Sequence, residues 1–312
     1  MTLPTHQPSR LRLRDRELTI RTGAPIVMGI LNIGTDSVAD ATVFASVDEQ
    51  VQRGLQLAQD GAEIIDVGVL SGRTDTDAIT VDEEAERFRP VVAALTQAGL
   101  TVSVDTWRLG AIEAALAAGA HLINDTSGLL EPAVADLAAV TGAGLVLMHT
   151  RAAPKQEHFP TYADPVTDVI EFLAGRIELA LARGVAPEQL IVDPGLDYAK
   201  EPQDSIEVLR RLPDLQRLRR PILLAVSRKY FIGMLTDTLP EDRLAGTIAA
   251  LEFGVSAGAH IVRVHDVAHV SQYLRLRAAL HGDGAVEIRG SREDDRLKWI
   301  APKAPPVENH NA

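Results

Sequence analysis

The chain has 312 residues, 46% of them hydrophobic, with 43 acidic against 31 basic side chains and a formal charge of −12. The aliphatic content can fill one large core, no apolar run approaches the roughly 20 residues of a membrane span, and the acidic balance argues against nonspecific nucleic-acid binding. The absence of cysteine excludes disulfide and thiolate chemistry.

From the N-terminus, MTLPTHQPSRLRLRDREL carries charge without an apolar stretch, so it does not read as a secretory signal, and a soluble cytoplasmic protein is expected. Residues 11–22 (LRLRDRELTIRT) alternate apolar and charged side chains around Asp15-Arg16, which predicts a hairpin that covers the bottom of the domain to follow.

Eight short apolar runs come next, each ending in polar residues. MGILN ends at Asn32, EIIDVG at Asp66, TVSVDT at Asp105, HLIND at Asn124 and Asp125, and LVLMH at His149. LIVDPG ends at Asp193, LLAVSRK at Ser227 to Lys229, and HIVRVHD at Arg263 to Asp266. The runs are nearly continuous Val, Ile and Leu, as expected of strands packed on both faces, and a segment long enough for a helix follows each. Eight such units predict an α/β fold, a (β/α)₈ TIM barrel, whose active-site face is formed by the C-terminal strand ends where these polar residues gather.

The predicted organisation is an N-terminal extension over 1–24, a barrel over 25–281, and a flexible tail over 282–312 that is rich in charge and proline. Two connections on the active-site face, Ile33–Val47 and Gly68–Thr80, are long enough to act as lids. The acidic run Asp82 to Glu86 is expected to open a helix, where carboxylates meet the positive end of the dipole.

Asp105, Asn124 and Asp193 offer acceptors and an amide suited to a flat nitrogen heterocycle. Any one of them alone could simply cap the next helix, but three converging on one barrel mouth favour a ligand. Lys229 sits where a helix should begin, and Arg263 and His265 occupy alternate positions of the last strand, so together they can form an anion site for a diphosphate. Asn32 could hold a hard cation through its amide oxygen, Mg²⁺ being the usual partner of a diphosphate. His149 fits a structural histidine at the rim as well as it fits a catalytic one.

MGILN, GAEIIDVG, VSVDT, AGAHLINDTSG, DPG, AVSRK and RVHD resemble, in order and spacing, the signatures of the dihydropteroate synthase family over about residues 25–280. The resemblance implies a homodimeric barrel that joins two small molecules, a dihydropterin methyl diphosphate and 4-aminobenzoate, with neither nucleic acid nor membrane as partner. It implies that Asp105, Asn124, Asp193 and Lys229 bind the pterin, that Arg263 and His265 bind the diphosphate, and that Asn32 holds Mg²⁺. Asp36, Arg73 and Lys229 become the candidate catalytic residues, Asp36 as the loop carboxylate that steadies a pterin-methyl cation, and Tyr198 an aromatic wall for the aniline ring.

The departures are concentrated on the aminobenzoate side. The first loop, GTDSVADAT, keeps Asp36, Ser37 and Asp40 but has Thr35, Val38, Ala41 and Thr42 where the family usually has proline, an aromatic and two glycines. The second, GVLSGRTD, keeps Ser71 and Arg73 but has Gly72 and Thr74 in place of threonine and proline, and Tyr230 stands where the family commonly has serine. Two other readings therefore stay open: an inactive paralogue that binds pterin or an antifolate, and a pterin enzyme with another acceptor. Among the latter, a methyl transferase is disfavoured by the diphosphate site, for which a methyl donor has no use.

Overall fold

A computed structural model describes residues 10–21, 23–34, 46–70, 79–282, 288–291 and 294–297. The chain enters through a two-stranded antiparallel hairpin, β1 (Arg10–Leu13) and β2 (Arg16–Thr19). Then follow β3 (Ile26–Asn32), α1 (Val47–Asp60), β4 (Ile64–Gly68), α2 (Val81–Gln97), β5 (Val102–Asp105), α3 (Leu109–Ala117), β6 (Leu122–Asp125) and α4 (Ala133–Thr141). The second half carries β7 (Gly144–Met148), α5 (Pro165–Ala182), β8 (Leu190–Asp193), α6 (Pro202–Arg210), β9 (Leu223–Leu224), α7 (Tyr230–Thr236), α8 (Leu244–Ser256), β10 (Ile261–Val264) and α9 (Val267–His281).

β3 to β10 form one parallel sheet in the order β8-β7-β6-β5-β4-β3-β10-β9. A parallel bridge between Val192 and Ile222 brings β8 to the start of β9 and closes the ring. This is the predicted eight-stranded barrel, and the long apolar runs are explained by it: the strands are buried on the inside and under the helices alike.

The hairpin seals the bottom, as expected. Leu11 and Leu13 are fully buried in one apolar cluster with Met28, Ile64, Leu122 and Val146, and the Arg14 N–H donates to the Gly142 carbonyl at 2.7 Å. Alternation alone puts Leu11 and Leu13 on one face and the arginines on the other. The acidic run opens α2 as expected, with Thr80 and Glu83 forming a reciprocal capping box. Its neighbour Glu84 is instead drawn inside, where it accepts a hydrogen bond from Arg108 at 3.0 Å.

Strand register sets the active-site face. Asn32 pairs with Gly68, Gly68 with Asp105, and Asp105 with Asn124. Four consecutive strands thus end level, in a row that places three polar side chains around one mouth.

Candidate active site

The row is built around a guanidinium. Arg263 on β10 donates from Nε to Asp66 Oδ2 and from Nη2 to Asp105 Oδ2, both at 2.6 Å. Asn124 Nδ2 donates to the same Asp66 oxygen at 3.0 Å. Asp66, Asp105, Asn124 and Arg263 therefore form one network across four strands. Burial pushes the Asp105 carboxyl up to about 7, with Arg263 opposing and the Asp66 charge adding to the rise. Asp66 is fully buried. It was missed as a site residue in the sequence, although it ends its strand in EIIDVG as the other polar residues end theirs.

On the opposite side, Asp193 Oδ1 accepts the Gly195 N–H at 2.7 Å, and burial raises its carboxyl above the ordinary range. Asp125 turns away from the mouth into a turn, accepting from Ser127 and Leu129.

Ser227 to Lys229 are aimed by a strained residue. Arg228 has φ 56°, a left-handed conformation uncommon for a long side chain. It is fixed by a two-pronged ion pair to Asp266 at 2.7 and 3.1 Å and by its N–H donating to Thr247 Oγ1 at 3.0 Å. With Arg228 pinned in this way, Ser227 Oγ lies 2.9 Å from His265 Nδ1 and accepts the His265 backbone N–H at 3.2 Å. Burial, aided by Arg263 and Arg228, pushes the His265 imidazole down to about 3, so it is neutral at physiological pH. Lys229 Nζ stands 4.5 Å from the centre of the Tyr198 ring, a cation–π distance. Burial lowers its ammonium pKa, and Asp197 and Asp193 oppose that.

Beside these residues opens a cavity of about 700 Å³, with Tyr198, Lys229 and Tyr230 on one wall and Trp107 and Phe159 among its other lining residues. Asn32 lies at the same mouth: a methyl group placed on Gly68 would come 3.6 Å from Asn32 Oδ1 and 3.6 Å from Asp105 Cβ. Among the described residues no three His, Cys, Asp or Glu side chains gather as a metal site.

The structure thus brings together Asn32, Asp105, Asn124, Asp193, Tyr198, Lys229, Arg263 and His265. Asp36 and Arg73, with Val38, Gly72 and Thr74, lie outside the described residues. His149 is fully buried and tied into a side-chain network. Its Nε2 is 2.8 Å from Asp168 Oδ1 and its Nδ1 is 2.7 Å from the buried Lys200 Nζ, behind the loop that carries Tyr198.

A family profile described as "Pterin binding enzyme" matches residues 28–265. The dihydropteroate synthase of Synechocystis sp. is 39% identical over 258 residues, 81% of this chain and 89% of that protein. The solved structure of Xanthomonas albilineans dihydropteroate synthase with 4-aminobenzoic acid aligns with a TM-score of 0.80 at 38% identity, covering 88% of this chain and 98% of that one. The Yersinia pestis dihydropteroate synthase in a sulfonamide drug complex aligns at 0.82 with 35% identity, over 88% and 100% of the two chains. No described helix is long and apolar enough to cross a membrane.

Proposed function

The chain belongs to the dihydropteroate synthase family of pterin-binding enzymes, and on that premise we propose how its own residues carry the family's reaction. The reaction is a transfer in folate biosynthesis. (7,8-Dihydropterin-6-yl)methyl diphosphate condenses with 4-aminobenzoate to give 7,8-dihydropteroate and diphosphate. The bond from the pterin methylene to the diphosphate oxygen breaks, the amine nitrogen forms the new bond to that carbon, and the amine gives up one proton.

The observation that carries the assignment is the convergence at one barrel mouth of two kinds of group. Asp105, Asn124 and Asp193 present acceptors and an amide for a heterocycle, and Lys229, Arg263 and neutral His265 present donors for an anion. Asp105, already paired with Arg263, and Asp193 are buried carboxyls whose remaining oxygens can meet the N–H groups of a pterin edge. Arg263 then faces both fragments: its two carboxylate contacts orient the fork, and its charge meets the leaving diphosphate. His265 serves there as a neutral hydrogen-bond donor. Its Nδ1 is engaged by Ser227, which directs the ring Nε2–H toward the ligand side.

If diphosphate leaves first, the chain must steady charge on both fragments and keep water out; it needs no strong base. Lys229 over Tyr198 joins the pterin side to the acceptor cavity, so the aniline ring packs on Tyr198 with its amine toward the methylene. Asp36, as the carboxylate that steadies the cation, and Arg73 are assigned by the resemblance alone. A divalent cation fits the donor set: Asn32 supplies one hard amide oxygen beside Asp105, and Mg²⁺ bound mostly through substrate phosphates and water needs few protein ligands. When bound it would neutralise charge on the departing diphosphate.

We place the enzyme in the cytoplasm as a homodimer. Support for a second copy comes from an apolar face on α7 and α8, where Leu235 and Phe253 are 65% and 47% exposed. Between them and α6 lies a groove of about 310 Å³. Phe253→Glu should convert a dimer to monomers by light scattering; an unchanged mass would remove this face from the interface.

The function is tested by diphosphate release from the purified protein given the pterin diphosphate and Mg²⁺, with and without 4-aminobenzoate. Release that depends on 4-aminobenzoate and yields dihydropteroate is expected. Pterin binding without turnover would support the inactive-paralogue reading instead.

A further inference from the structure

Tyr198 is flanked by two residues in a conformation that favours glycine: Asp197 has φ 65° and Ala199 has φ 51°. Aspartate tolerates this region better than most residues but still adopts it at a cost. A carboxylate held in such a place needs a compensating contact, and Asp197 has several. Its Oδ2 accepts the backbone N–H of Tyr230 at 2.6 Å and that of Phe231 at 3.4 Å. Its Oδ1 accepts from Ser205 Oγ at 3.3 Å, and its own N–H donates to that oxygen at 3.0 Å. The side chain is thus fixed on the first turn of α7, directly after Lys229, and it lines the cavity that Tyr198, Lys229 and Tyr230 also line.

The charges lining that cavity balance. Histidine aside, the described lining residues carry two lysines, Lys155 and Lys229, against two carboxylates, Glu157 and Asp197. Without the Asp197 charge the wall would hold one surplus positive charge, and the Tyr230 and Phe231 N–H groups would face whatever lay beside Lys229. With it, those donors are already taken by the chain itself. In 4-aminobenzoate the carboxylate lies across the ring from the reacting amine. Once the amine points at the pterin methylene, that carboxylate sits in the outer cavity, among these residues.

We propose that Asp197 is a specificity-determining residue of the acceptor cavity: its carboxylate occupies the anion-accepting position beside Lys229 and weakens the preference for acceptors with an anionic tail. The inference rests on the synthase reading for the identity of the acceptor cavity. It predicts that an aniline with an uncharged tail competes with 4-aminobenzoate more closely here than it would in a cavity that lacked this carboxylate.

The test is a ratio. The specificity constant kcat/KM is measured for 4-aminobenzoate and for 4-aminobenzamide, which keeps ring and amine but has no charge, in wild type, Asp197→Asn and Asp197→Glu. Asparagine keeps the size, tolerates the left-handed conformation and can still accept the Tyr230 N–H. Asp197→Asn should raise the benzoate-to-benzamide ratio about tenfold, the size expected for removing one like charge from a partly buried site. Asp197→Glu, which keeps the charge, should leave the ratio near wild type. An unchanged ratio in Asp197→Asn, or an equal rise in both variants, would overturn the proposal. If neither acceptor is turned over, the synthase reading fails. The same ratio, taken as dissociation constants for the two anilines on protein loaded with pterin and diphosphate, then still decides the role of Asp197.

Discussion

Lys200 Nζ lies 2.7 Å from His149 Nδ1, an ammonium and an imidazole sealed together behind the loop that carries Gly195 and Tyr198. Two cations cannot share that distance in a dry site. Burial, with Lys200 adding to it, pushes His149 down to about 3, and burial brings Lys200 down to about 7. The imidazole is therefore neutral, accepting from Lys200 at Nδ1 and donating from Nε2 to Asp168, which Arg151 grips with two hydrogen bonds. Lys200 also donates to the Gly195 and Tyr198 carbonyls at 2.9 and 3.1 Å.

Lys200→Met fills similar volume but strands three buried acceptors. Each loss costs on the order of 1 kcal/mol or more, so the variant should lose about 2–4 kcal/mol of unfolding free energy in urea. Because the released carbonyls border Tyr198, the KM for 4-aminobenzoate should rise more than the KM for the pterin diphosphate. Equal effects on both would make Lys200 a scaffold residue with no particular tie to the acceptor wall.

The barrel was legible because burial on two faces writes strands as continuous Val, Ile and Leu, and because chain polarity puts each strand's last residues on the active face. That logic picks out Asp105, Asn124, Asp193 and Arg263 as candidates. Asp66 satisfied it equally but carried no distinguishing chemistry until register placed its carboxylate under Arg263. Lys200 and Asp197 were not legible at all. Their contacts join residues 51 and 33 positions apart, and only the turn after β8, with its left-handed residues, brings them together.

Arg263→Lys separates charge from geometry. A single ammonium cannot reproduce the fork that reaches Asp66 and Asp105 on two strands. Pterin diphosphate should bind about 10- to 100-fold more weakly by calorimetry, roughly 1.4–2.8 kcal/mol. Arg263→Ala, which leaves two carboxylates facing one another, and Lys229→Ala should abolish measurable binding. Wild-type affinity in both alanine variants would remove these residues from the anion site.

Acid stability should fall through a buried histidine far from the chemistry. His260 Nδ1 accepts the Ile222 N–H at 3.1 Å, and burial pushes its imidazole down to about 4. The unfolded chain takes up this proton near pH 6.5, the folded chain only near 4. Stability therefore declines as pH drops through that window, by about 3 kcal/mol from this group, and the decline from it ends below about 4. His260→Asn retains an acceptor for Ile222 without the titration. Urea denaturation at pH 7, 5.5 and 4.5 should show a shallower loss in the variant; parallel curves would contradict the assignment.

Sulfonamide sensitivity should depend on Tyr230. This residue follows Lys229 at the cavity wall, is 56% exposed, and stands where the family commonly has a small hydroxyl side chain. Sulfonamides imitate 4-aminobenzoate, so a bulky ring here, with the Tyr230 N–H already engaged by Asp197, removes both space and a donor from the inhibitor's tail. The inhibition constant for a simple sulfonamide should exceed that of a relative such as the Yersinia pestis enzyme, which binds such a drug. Tyr230→Ser should lower it about threefold to tenfold, on the order of 1 kcal/mol for one restored hydrogen bond. The KM for 4-aminobenzoate should fall in parallel, since inhibitor and substrate share the wall. A drop in one constant without the other would mean that the two ligands meet Tyr230 differently.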